Sequence, residues 1–290
     1  MTEIRHHQII DQGAERAVRK YLALVGTLVM MGAVLLSAQR APAPRPTGGN
    51  DPAAPTSPAG AGGLTRGPAV PSGPAPRLPD GSVDLSGVWS GGGPVGDLAQ
   101  GLTPGETIPL LPAAKALMDS RVSGNDPEAN CLPTGVPRMA PYPWRIVQTP
   151  AYKKATHLYF LFEGNIHSYR QIFMDGRPHP ADPDPTWYGH SIGHWDGDTL
   201  VVDTVGFNDK FWFDFRGHPH TERLHTVERW TRTDFGTLVN EVTIDDPGAY
   251  SKPFTLRFTA RLRPNEELME YICQENEQDV KHTIGPAQRP

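Results

Sequence analysis

The chain has 290 residues, including 31 proline and 30 glycine, with 38% hydrophobic residues and a formal net charge of −5. That mildly negative, interspersed charge excludes the basic footprint a nucleic-acid partner requires. Much of the excess of proline and glycine lies before residue 80, so the apolar deficit sits largely there, and the remainder is long enough to bury a core.

In chain order, Arg16, Arg19 and Lys20 precede an apolar run from Tyr21 to Ala38. Flanking cations and an apolar stretch of about 18 residues direct export, and that length just suffices to span a bilayer. Ala38 fits the end of a cleavage motif, whereas Leu36 stands where a small residue is wanted. A cleaved signal peptide over 1–38 and a retained signal anchor therefore both stay open. Either places the rest of the chain outside the cytoplasm: periplasmic, extracellular or membrane-anchored, touching the membrane only through the N-terminal segment. Residues 39–80 read as a disordered Pro/Ala/Gly-rich linker.

A β domain is expected over 81–285. Asp84–Ser90 opens as a strand, 110–121 is one short helix, and Trp144–Gln148 is a strand bracketed by Pro141 and Pro150. Hairpins come next: 156–163 with 166–174 around Gly164-Asn165, then 191–195 with 199–205 around Asp196-Gly197-Asp198. Two more pair 225–232 with 238–244 and 254–263 with 267–274. About ten mostly antiparallel strands must curl or close to hide their edges, which predicts a barrel or strongly curved sheet. Phe254, Leu256, Phe258 and Leu262 share one face of the last long strand and Thr255, Arg257, Thr259 and Arg261 the other, giving one wet face. In the 156–174 hairpin both faces are bulky, so it is either covered on both sides or lines a cavity.

The two cysteines, Cys131 and Cys273, suggest a disulfide in an exported protein; unpaired thiols, or a metal or catalytic role, are the alternatives. Seven of the eleven histidines lie between 167 and 225: His167, His179, His190, His194, His218, His220 and His225. Asp203 interrupts the apolar run 200–205, facing either outward with Val201 and Val205 or inward to hold a histidine tautomer. Glu228 is the second carboxylate. His190, Asp203, His220, His225 and Glu228 are accordingly the candidate acid–base residues. His218 and His220 are the candidate ligands should a divalent metal be present; no other cofactor is indicated. Trp187, Tyr188, Ser191 and Trp212 are candidate ligand-binding residues, and Phe211-Trp212-Phe213 a candidate pocket lip. Gly189-His190-Ser191-Ile192-Gly193 matches a nucleophile elbow, but a proline-rich loop precedes it and a hairpin comes after it, where an elbow needs a strand and then a helix.

Gly87-Val88-Trp89 resembles the Gly-x-Trp opening of lipocalin-type barrels, in which the tryptophan plugs the closed end. Several longer segments are also relevant: Asp175–His179, Asp184–Gly193, Trp195–Phe207, and His218-Pro219-His220 through Arg229. Together they resemble a widespread family of uncharacterised secreted bacterial proteins with a lipocalin-like β domain, over roughly residues 83–278. The resemblance implies export and that fold, and brings no established activity.

The expectation is thus an exported small-molecule-binding β barrel. A His/carboxylate pair in it would give lyase, isomerase or hydrolase chemistry. The alternatives are a non-catalytic carrier, a structural envelope protein, or a serine esterase through Ser191. The expected partner is a small molecule, and the oligomeric state is left open.

Overall fold

The computed structural model describes residues 70, 72–138, 142–148, 155–164 and 168–273. The apolar segment and most of the linker lie outside these residues, as does His167. Among the described residues no helix is long and apolar enough to cross a membrane.

Nine strands form a closed barrel in chain order. They are β1 (Gly87–Gly91), β2 (Trp144–Gln148), β3 (His157–Phe162), β4 (Tyr169–Phe173) and β5 (His190–Asp196). The remainder are β6 (Thr199–Val205), β7 (His225–Asp234), β8 (Thr237–Asp245) and β9 (Phe254–Leu262). Among the described residues there is one α-helix, α1 (Pro112–Ser120), which starts on a proline; this fits a first turn because proline has no N–H to leave unpaired. The expected tenth strand over 267–274 is absent from its described part, 267–273. β9 already pairs with β1, so closure leaves no edge for it. Instead Met269 N–H donates to Glu163 at 2.9 Å, and Cys273 is disulfide-bonded to Cys131.

Eight of the nine neighbouring pairs are antiparallel; β4 and β5 are parallel, paired at Ile172↔Ser191 and Phe173↔Ile192. Parallel neighbours need a long return crossover. Residues 174–189 supply it without a helix, and they run back over the outside of the wall. Arg177 lies 4.0 Å over the ring of Phe173, and Thr186 N–H donates to Gly206 O at 3.0 Å. Gly189 ends this crossover at φ +64°, where a Cβ would meet Val205 O at 2.7 Å. Only glycine accepts both demands.

The barrel interior is lined by two apolar clusters. Near one end Trp144 packs on Trp89, Phe160 and Trp230, with ring centroids 5.4–6.5 Å apart. Trp89 lies under the Arg232 guanidinium and donates its indole N–H to Leu85 O at 3.0 Å. A second apolar cluster joins Phe207, Phe211, Phe213, Leu224, Val242, Ile244, Tyr250 and Leu256. The β3–β4 hairpin buries Leu158, Phe160 and Ile172 inward, while Tyr159, Leu161 and Phe173 are half-buried outside. The domain also begins earlier than composition suggests. Phe235 N–H donates to Gly73 O, Arg77 bridges to Val83, and Val70 and Ala75 pack on the first cluster.

Candidate functional site

Strand alternation divides the predicted site residues between the two faces of the wall. On β6, Leu200, Val202 and Thr204 are buried inward, so Asp203 points outward with Val201 and Val205. His190 on β5 and His225 on β7 also face outward, opposite to the buried neighbours Ser191 and Thr226. The His190 and His225 imidazoles therefore lie on the outer wall and not inside the barrel.

There the crossover delivers a residue that no local pattern singles out. His179 places Nε2 3.0 Å from Asp203 Oδ1 and Nδ1 2.8 Å from His190 Nδ1. His225 Nε2 lies 2.9 Å from the same Oδ1. Asp203 is flanked across the strands by Ile192 and Val227, so apolar groups border its carboxylate. Its side chain is 36% exposed and that of His225 is 39% exposed, so both reach solvent. The His190 ring stacks on Phe173 at 5.1 Å.

The hydrogen bonds fix the tautomers. An ionised carboxylate only accepts, so with neutral rings both His179 and His225 donate Nε2–H to Asp203. The bare Nδ1 of His179 then accepts Nδ1–H from His190. This leaves His190 Nε2 and His225 Nδ1 as unprotonated nitrogens, and neither has a protein partner among the described residues. Partial burial, then His179 and Arg177, hold the His190 imidazole below its ordinary value, so it is neutral at pH 7. Asp203 thus faces outward and still holds histidine tautomers, which joins two readings that strand alternation alone sets against each other.

The other candidates lie elsewhere. His220 is buried against Phe211 and Phe213, and donates Nε2–H to Phe211 O at 2.9 Å. Burial pushes its imidazole down to about 4. It is built as a core residue, with no contact to Asp203, His190 or His225. His218 donates Nδ1–H to Asp214 at 2.6 Å. Asp97, Asp214 and His218 offer ligand atoms within 4.8 Å of one another. Asp214 Oδ2, however, already accepts from Leu98 N–H and His218, while Asp97 caps Ala99 and faces Arg216. Phe211, Trp212 and Phe213 are core residues rather than a pocket lip. Trp187 packs on the second apolar cluster.

Ser191 and Glu228 point into the barrel. Ser191 Oγ accepts from Arg170 Nε at 3.0 Å and bonds Thr204 Oγ1 at 3.0 Å. Glu228 is ion-paired with Arg170 at 2.5 Å. None of these partners is an imidazole, and Ser191 sits within a strand instead of a strand-to-helix turn. Tyr188 packs against both apolar clusters and bonds Ser168 at 2.6 Å.

Comparison with protein-family models, with curated proteins and with solved structures yields no match.

Proposed function

We propose that the protein is an exported, lipocalin-like β barrel that carries out acid–base chemistry on a small molecule at the outer-wall cluster His190–His179–Asp203–His225. The observation that carries this reading is the connected pair of hydrogen bonds from His190 through His179 to Asp203. His190 Nε2 is the base. When it takes a proton from a substrate, its Nδ1 proton can pass to His179, so the positive charge comes to rest beside the Asp203 carboxylate. A carboxylate that orients an imidazole and stabilises its cation is an established device for general-base catalysis. Export is supported by the Cys131–Cys273 disulfide, which persists in oxidising compartments. The closed barrel and the buried Trp89 support the lipocalin-like class.

The test uses 5-nitrobenzisoxazole, a general probe of proton abstraction. The protein is expected to exceed free imidazole at equal concentration. His190→Ala and Asp203→Ala should abolish that excess, and His194→Ala, an exposed outward neighbour on β5, should leave it intact. A wild-type rate no higher than imidazole, or an equal loss in His194→Ala, would remove the reading.

A further inference from the structure

We infer that the middle of the barrel is a second binding site, built for a small neutral polyhydroxylated molecule and entered at the seam between β4 and β5. Between the two apolar clusters lies a layer of polar side chains. Arg170, Ser191, Thr204, Thr226, Glu228 and Asn240 are each no more than 2% exposed. They come from five adjoining strands, and register sets Thr204 beside Thr226, and Asn240 beside Trp230.

The protein satisfies only part of this layer. Arg170 bonds Ser191 and Thr204 and is ion-paired with Glu228. Among the described residues, Arg170 Nη1, Thr226 Oγ1, Glu228 Oε1, Trp230 Nε1 and Asn240 Oδ1 have no hydrogen-bond partner, while Glu228 Oε2 is held by the Arg170 ion pair. Folded proteins pair nearly all such groups, because each one left bare costs about 1–3 kcal/mol. Five incompletely paired residues in one layer call for an occupant that completes them.

The chemistry defines that occupant. Arg170 and Glu228 cancel in charge, so the layer does not favour a net anion or cation. Arg170 Nη1 and the Trp230 indole donate, Glu228 and Asn240 Oδ1 accept, and Thr226 does both. The occupant must therefore accept and donate in several directions, as hydroxyl groups do. Trp230 and Phe160, whose rings lie 5.5 Å apart, border the layer with apolar surface for a carbon skeleton.

Access comes from topology. The parallel β4–β5 seam is paired at only two register positions, and Arg170 and Ser191 sit beside it. Tyr188, two residues before β5, is stacked on Phe162 and bonded to Ser168 just before β4, at one end of this seam.

The indole N–H resonances of the full-length protein test this. Trp230 is assigned with Trp230→Phe. Trp89 and Trp144 already donate to Leu85 O and Gly91 O, and so serve as internal references. Titration with glycerol and with glucose should shift the Trp230 resonance saturably while the references stay still. Thr226→Val, which keeps the side-chain shape, and Asn240→Leu should each weaken that binding about tenfold, the loss expected for one good hydrogen bond. No saturable shift with either probe would mean the layer holds only water, and would overturn the inference. A shift linear in concentration and shared by all three indoles would do the same. Because the outer-wall variants His190→Ala and Asp203→Ala should bind the probes normally, this site stands or falls separately from the proposed acid–base chemistry.

Discussion

Asp203 and His179 lie 3.0 Å apart, joined across the outer wall by a crossover that exists only because β4 and β5 run parallel. An antiparallel hairpin there would have turned directly into β5, and Asp203 would hold His225 alone. The topology is thus what converts a carboxylate–imidazole pair into a chain ending in a bare nitrogen.

Acid should switch the outer-wall cluster off. His190 must be neutral to act as a base, and its proton affinity is held below the ordinary value of 6.5. Activity on the probe should therefore hold at neutral pH and be lost as pH falls through the lowered value, below 6.5. Arg177 contributes to that depression, so Arg177→Gln should move the acid limb upward, toward 6.5. A pH–rate profile measures it, and an unchanged or lower midpoint counts against the cluster's electrostatics.

His220 should behave as a structural residue. In the unfolded chain its imidazole takes up a proton near pH 6.5, and in the fold only near 4. As pH falls between those values the unfolded state gains a proton that the native state refuses, so stability is lost there, on the order of 3 kcal/mol. Urea titrations at pH 7 and pH 4.5 should show a smaller drop for His220→Gln than for the wild type. His220→Ala should cost about 2–4 kcal/mol at pH 7, through the cavity beside Phe211 and Phe213 and the lost bond to Phe211 O.

The strand positions were legible because alternation and punctuation agree. Trp144–Gln148 sits between prolines, and the 190–205 hairpin turns at Gly197 with φ +59°, a conformation its Asp-Gly-Asp sequence favours. The faces were legible too, since Asp203 shares its phase with Val201 and Val205. The partner of Asp203 was not. His179 lies in a proline-rich stretch with no period, and nothing local shows that this stretch must travel back along the wall. The polar layer left traces in Ser191, in Glu228, and in Arg170 in phase with Ile172 on a core face, but isolated polar residues on an apolar phase do not say what they meet. The segment 267–274 alternates like a strand, and closure by β1 and β9 outside that segment decided against it.

Glycine 87 illustrates a local demand with a large cost. Gly87 has φ +131°, and a Cβ there would stand 2.7 Å from Leu262 Cδ1. Gly87→Ala should destabilise by about 1–3 kcal/mol, read as a lowered Tm.

The Cys131–Cys273 disulfide links residues 142 apart. In the chain-entropy model a loop of this size is worth about 5 kcal/mol. Cys131→Ser/Cys273→Ser should lower the urea midpoint strongly and to the same degree as reduction of the wild type. Agreement between variant and reduced protein is the check.

The most direct measurement is the tautomeric state of the cluster, read from nitrogen chemical shifts of the imidazole rings at pH 7.5. His179 should carry its proton on Nε2, and His190 should carry its proton on Nδ1 with a bare Nε2. In Asp203→Ala the His179 tautomers should scramble with the fold retained. A proton on His190 Nε2 in the wild type, or tautomers untouched by removing Asp203, would contradict the proposed proton path.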